Sequence, residues 1–164
     1  MQVITKIYTV VIIIMYCLLN INAAHAQRAG ANGDYILSSI NLEDNSVLDS
    51  LQHAPVFEDA SMNCLLNSQW EFIKGEGYYK ISSSTECTKG TRQIAWKFFN
   101  LKGSNYFQFV RTTGVRGVRA DEHNIYTCEV QSSDKNTFTL RYPILFAGKP
   151  NVMLFTFTRQ QSAL

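Results

Sequence analysis

Two patterns divide the chain. Residues 7–19 are almost wholly apolar, and from Cys64 to Arg159 apolar and polar residues largely alternate. A period of two sends successive side chains to opposite faces of a strand, so the second pattern predicts half-buried β-structure. Neighbouring runs can be tested as hairpins, because a one-residue slip would turn every side chain to the wrong face. In the first hairpin a Gly75-Glu76 loop of type II′ places Trp70 opposite Ile81 and Phe72 opposite Tyr79, with Glu71 facing Lys80 on the other side. A second, turning at Leu101-Lys102-Gly103-Ser104, pairs Trp96 with Phe109 and Phe98 with Phe107. The last turns at Ala147-Gly148-Lys149-Pro150 and pairs Tyr142 with Phe155, Leu140 with Phe157 and Phe138 with Arg159. A connection near Ser132–Asn136 lets Val130 oppose Phe138 and puts Tyr126 and Cys128 on the inner face.

These runs make seven strands of an all-β, antiparallel up-and-down meander. Closing such a meander on itself needs an even number. Gly114–Arg119 is the candidate eighth strand, with Val115 and Val118 out of phase and Gly117 as a bulge; a long loop is the other reading. An open, sandwich-like sheet is the alternative to a closed barrel.

The N-terminal apolar run has a different meaning. Lys6 precedes it, and Ala24-His25-Ala26 follows it as a small-x-small cleavage site. The expectation is a signal peptide over residues 1–26, cut after Ala26, with no transmembrane segment left; an uncleaved anchor is the competing reading. A lipoprotein site at Cys17 is disfavoured by the bulk of Tyr16. Residues 27–61, rich in Asn, Asp, Ser and Gly, read as a flexible leader, in which Asn45–Gln52 is a possible short helix. The barrel domain is placed at 62–160.

Export also sets the charge and redox context. Of the 15 basic residues only Lys6 leaves with the signal, and the 14 that remain nearly balance 13 acidic ones. That balance offers no electrostatic footprint for nucleic acid. Cys64, Cys87 and Cys128 remain, an odd number in a compartment that favours disulfides. Extending the first hairpin places Cys64 opposite Cys87, which predicts that bond and leaves Cys128 a buried free thiol.

The stretches Cys64–Trp70, Gly77-Tyr78-Tyr79, and Cys87 with Gly90–Trp96, followed by an aromatic last strand ending in Arg159, resemble the bacterial lipocalin-like domain family over most of the exported chain. The resemblance implies a lipocalin-like β-barrel. In that family a Trp on the first barrel strand packs against an Arg from the last, and Trp70 and Arg159 match those places. Residue 68 is Ser where the pattern has Gly, no Thr-Asp-Tyr motif is found, and the C-terminal helix of larger lipocalins has no counterpart.

Catalytic signatures are missing from the sequence: no G-x-S-x-G, H-E-x-x-H or phosphate loop occurs, and His53 and His123 lack metal-ligand spacing. Asp121-Glu122-His123 reads as a solvated loop. No catalytic residue, metal or cofactor is expected, and the chain is not expected to be an enzyme. The candidate site is the interior, where Trp96, Phe109, Tyr126, Tyr142 and Phe155 line a space for a small apolar or amphiphilic ligand. Arg116 and Arg119, in a possible flap over Thr112–Asn124, would meet an acidic head. An eight-stranded barrel holds one small ligand or is filled by its own side chains. The alternative function is therefore a structural or protein-interaction barrel with a solid core. In either case the protein is expected to be periplasmic or secreted.

Overall fold

A computed structural model describes residues 32–44, 55–81, 87–112, 125–146 and 148–161. Its strands are β1 (Gly33–Leu42), β2 (Pro55–Val56), β3 (Ala60–Ser61), β4 (Gln69–Ile73), β5 (Glu76–Ile81), β6 (Gly90–Leu101), β7 (Ser104–Thr112), β8 (Ile125–Ser133), β9 (Thr137–Phe146) and β10 (Lys149–Arg159). A four-residue helix, α1 (Met62–Leu65), precedes β4. Eight strands close into one antiparallel barrel in the order β1-β10-β9-β8-β7-β6-β5-β4, and β2 and β3 form a separate small hairpin. Closure leaves the barrel itself without a free edge strand.

The strand that completes the barrel is β1, which lies inside the stretch read as a leader. It pairs with both β4 and β10. The sequence hides it because its register shifts between Leu37 and Ser39. Tyr35 and Leu37 point inward before the irregularity, and Ile40 and Leu42 after it, so a strict period of two fails across Ser38. The Ser38 hydroxyl donates to the Thr156 carbonyl at 3.0 Å and lies 2.8 Å from the Thr158 hydroxyl, anchoring the bulge to β10. The Gly114–Arg119 candidate and the possible helix at Asn45–Gln52 lie outside the described residues.

The predicted faces hold, but three of the four registers move. β6 and β7 pair as expected, with Trp96 opposite Phe109 and Phe98 opposite Phe107. In the first hairpin Trp70 faces Tyr79 and Phe72 faces Gly77. The loop is Lys74-Gly75, with φ of 44° and 91°, a type I′ turn rather than the expected II′ turn at Gly75-Glu76. Lys102-Gly103 repeats it with φ of 51° and 89°. Glu71 therefore faces Tyr78 and not Lys80. In the last hairpin Tyr142 faces Met153 and Phe155 faces Leu140, while Phe157 takes the place opposite Phe138 expected for Arg159. A shift between Val130 and Ser132 puts Leu140, not Phe138, opposite Val130. The shifts in the first and last hairpins are of two residues, which preserves the face; the hydrophobic pattern cannot tell such registers apart, and turn geometry decides between them.

Cys64 and Cys87 are bonded, with their Cα atoms 5.5 Å apart, and Cys128 is a buried free thiol. The hairpin extension that predicted the bond does not exist: Cys64 sits in α1, and the bond ties that helix to the chain entering β6. With the cysteines 23 positions apart in the chain, reduction should cost roughly 3 kcal/mol of stability, read from urea midpoints with and without reductant. An unchanged midpoint would mean the tether carries no load. Gly77 offers a second check. A Cβ there would lie 2.1 Å from the Glu71 carbonyl oxygen, so backbone must move. Gly77→Ala should destabilise by about 1–3 kcal/mol in the same assay, and a neutral result would refute the close approach of β4 to β5.

Candidate functional site

The two ends of the barrel differ. At one end the connections are tight turns: Lys74-Gly75, Lys102-Gly103, and the β8–β9 turn. There Asp134 accepts hydrogen bonds from the Asn136 and Thr137 amides at 2.7 and 2.8 Å, bonds that hold its carboxyl below the usual range. The long connections, after β1, β5 and β7, all leave the opposite end.

The tight end is closed by rings and one arginine. Trp70 is 1% exposed and stacks on Tyr79 at 4.4 Å, with Phe157 edge-on at 5.3 Å. Its indole N–H donates to the Ser68 hydroxyl at 2.8 Å, which gives Ser68 a role that the expected Gly would leave empty. The Arg159 guanidinium lies over the Tyr35 ring at 5.1 Å, donating to the Tyr35 hydroxyl at 2.7 Å and to the Asn32 carbonyl at 3.0 Å. Tyr35 is the cross-strand partner of both Trp70 and Arg159. The arginine thus reaches the tyrosine of the strand that lies between it and Trp70. Trp70 itself is on the second barrel strand in chain order, since β1 precedes it.

The wide end carries a cap. Val56 and Phe57 leave the β2–β3 hairpin for the interior and are fully buried. The Phe57 ring sits 4.9 Å from Phe109, 5.1 Å from Tyr126, 5.4 Å from Tyr142 and 5.0 Å from Phe155. The Tyr126 hydroxyl donates to the Phe57 carbonyl. Two residues on, Asp59 is gripped from three sides. Tyr79 donates to its Oδ2 at 2.8 Å, Arg92 Nε to Oδ2 at 2.9 Å and Arg111 Nη1 to Oδ1 at 2.9 Å. The carboxylate is only 10% accessible. Screening is weak at that depth, so these charge-assisted bonds are stronger than surface pairs.

Four of the five predicted aromatic site residues, Phe109, Tyr126, Tyr142 and Phe155, therefore converge on one cup. Trp96 does not join them. It packs with Phe72, Phe98 and Phe107 nearer the tight end, its indole N–H donating to the Glu76 carbonyl at 2.7 Å. Arg116 and Arg119 lie outside the described residues. Among the described residues the cations at the cup are Arg111, which immediately precedes the expected flap, and Arg92, which no sequence pattern singled out. Phe57 and Asp59 were missed because they fall in the supposed leader; a Val-Phe pair followed by acids in a polar stretch was the available signal.

A second concavity, of about 230 Å³, lies where β6, β7 and β8 run side by side, lined by Ala95, Trp96, Lys97, Gln108, Phe109, Val110 and Ile125. Among the described residues no group of histidines, cysteines and carboxylates could hold a metal ion, and no helix is long and apolar enough to cross a membrane.

The fold and cup thus define a closed, eight-stranded antiparallel up-and-down barrel with a capped aromatic interior, consistent with a lipocalin-like fold. Compared with known families, curated proteins and solved structures, the chain matches none.

Burial holds the interior phenols of Tyr35, Tyr79, Tyr126 and Tyr142 above their ordinary value of 10.0, and for Tyr79 the bond to Asp59 adds to the effect. Burial alone pushes the Cys128 thiol from 9.0 up to about 12. A folded group that keeps its proton longer than the unfolded one gives stability that is full below the unfolded value and lost as pH rises past it. Stability should therefore be flat near neutrality and fall steadily above about pH 9–10. Urea unfolding across that range checks this, and Tyr79→Phe should flatten the slope. A pH-independent midpoint up to about pH 11 would contradict the buried phenols.

Proposed function

We propose that this chain is an exported, lipocalin-like binding protein that takes one small hydrophobic or amphiphilic molecule into the wide end of its barrel. One observation carries the reading. Phe109, Tyr126, Tyr142 and Phe155 form a ring-lined cup occupied, among the described residues, by Phe57, a side chain borne on a loop and not on a barrel strand. Ligand pockets are typically concave, apolar and furnished with few polar groups, and the hydroxyls of Tyr126 and Tyr142 are the polar tips available here. The role assigned is binding; no residue is given a catalytic part. The signal-like residues 1–26 and the Cys64–Cys87 bond support the periplasm or the extracellular space as its place.

A solid interaction module is the second reading. It is favoured by the outer wall, where Phe99 stacks on Tyr106 at 5.4 Å and Leu101 and Leu145 are exposed.

Two measurements test the proposal. The protein recovered from its expressing cells should begin at Gln27. In native mass spectrometry it should carry an adduct that organic solvent releases as a small apolar or amphiphilic compound. An intact Met1 removes the export reading. A ligand-free protein that no apolar compound stabilises against heat, but that self-associates, would favour the interaction module.

A further inference from the structure

The cap has features that a simple seal does not need. Phe57 and Glu58 have φ of 52° and 49°, the left-handed region that bulky residues avoid. They form the centre of a turn closed by the Asp59 amide donating to the Val56 carbonyl at 3.2 Å. A turn of this kind suits Asn-Gly, so the Phe-Glu sequence is held in it by outside contacts and not by its own preference. Those contacts are the Phe57 ring in the aromatic cup, the Asp59 carboxylate on Arg92, Arg111 and Tyr79, and two backbone carbonyls, that of Phe57 accepting from the Tyr126 hydroxyl and that of Glu58 from Arg111 Nη2 at 3.4 Å. Among the described residues two guanidinium groups pair with the single carboxylate of Asp59. Arg111 Nε, moreover, is buried and meets no acceptor among the described residues. The cap is also tethered. Cys64, three residues beyond β3, is bonded to Cys87, so the C-terminal side of the hairpin stays fixed to the chain entering β6.

Resting on the binding function proposed above, we infer that Phe57-Glu58-Asp59 is an internal stand-in for the ligand. The molecule it imitates is an organic anion with an aromatic or otherwise apolar body. The body takes the place of the Phe57 ring among Phe109, Tyr126, Tyr142 and Phe155. The anionic group takes the place of the Asp59 carboxylate on Arg92, Arg111 and Tyr79. The protein is thereby self-inhibited, and its apparent affinity is lowered by the small fraction of molecules whose cap is open. Weakening either cap contact raises that fraction and removes the penalty.

Two fluorescent probes of similar shape separate body from charge: anilinonaphthalene sulfonate, an anion, and N-phenylnaphthylamine, which is neutral. Binding is titrated to the full chain and to Phe57→Ala and Asp59→Asn, with near-ultraviolet circular dichroism confirming that each keeps its packed aromatic core. Asp59→Asn retains the ring, so it serves if Phe57→Ala fails to fold. Both variants should bind both probes about tenfold or more tightly than the unaltered chain, as expected when a closed state is relieved. In the Asp59→Asn background the sulfonate should be preferred, and Arg111→Gln should erase that preference without weakening the neutral probe. Equal affinity in the unaltered chain and both variants overturns the self-inhibition while leaving the binding function standing. Tighter binding of the neutral probe alone overturns the anion seat. If no probe binds any folded form, the binding function itself fails.

Discussion

The barrel depends on β1 turning its apolar side chains inward along its whole length while pairing with two partners at once. Its first half meets β4 and its full length meets β10. The bulge at Ser38 reconciles the two tasks, because it resets which residues face the core. Without it Ile40 and Leu42 would point to solvent; β1 as a whole covers the edges of β4 and β10, and open edges are a liability that folded sheets avoid. The serine is suited to the place: a larger apolar residue would be exposed there, whereas the hydroxyl ties the irregularity to the backbone of Thr156.

Closing the sheet creates an interior that must be filled, and the chain fills it with rings. From Phe72 against Phe138 at 6.0 Å to Trp70 against Phe109 at 5.8 Å, rings from strands that are not neighbours meet across the interior. Rings give much buried area for few rotatable bonds, so they pack a lumen at small entropic cost. The barrel's own strands complete this packing at the tight end, where Trp70, Tyr35 and Arg159 form the floor. At the wide end they do not, and the last ring comes from outside the barrel sequence, on the β2–β3 hairpin. That asymmetry turns one end of a packed core into a candidate site.

Electrostatics at the two ends follows the same division. Arg159 lies over the Tyr35 ring with its donors on a hydroxyl and a carbonyl, an arrangement that fixes strand order and leaves little for a ligand. Arg92 and Arg111 instead point inward at the wide end and meet a carboxylate carried by a separable element. The same residue type is structural in one place and a candidate recognition group in the other, and the difference is whether its partner belongs to the closed sheet.

Alternation by itself determined the all-β class, the inward set from Trp70 to Phe157 and the one register set by an unambiguous turn, because side-chain face is a local property of an extended chain. It also made the pairing of Cys64 with Cys87 foreseeable, although for a reason the fold replaces, since Cys64 belongs to a helix and not to a strand. The rest was beyond local reasoning. β1 was hidden by a bulge that breaks its period. Two hairpins slid by two residues, a move that leaves every face unchanged and is therefore invisible to a hydrophobic pattern. Phe57 and Asp59 look like polar-leader residues until the long connection from β1 to β4 brings them over the open end. Only the closed barrel decides those points, because closure selects among registers that pattern leaves equal and sets residues far apart in the chain around one cup.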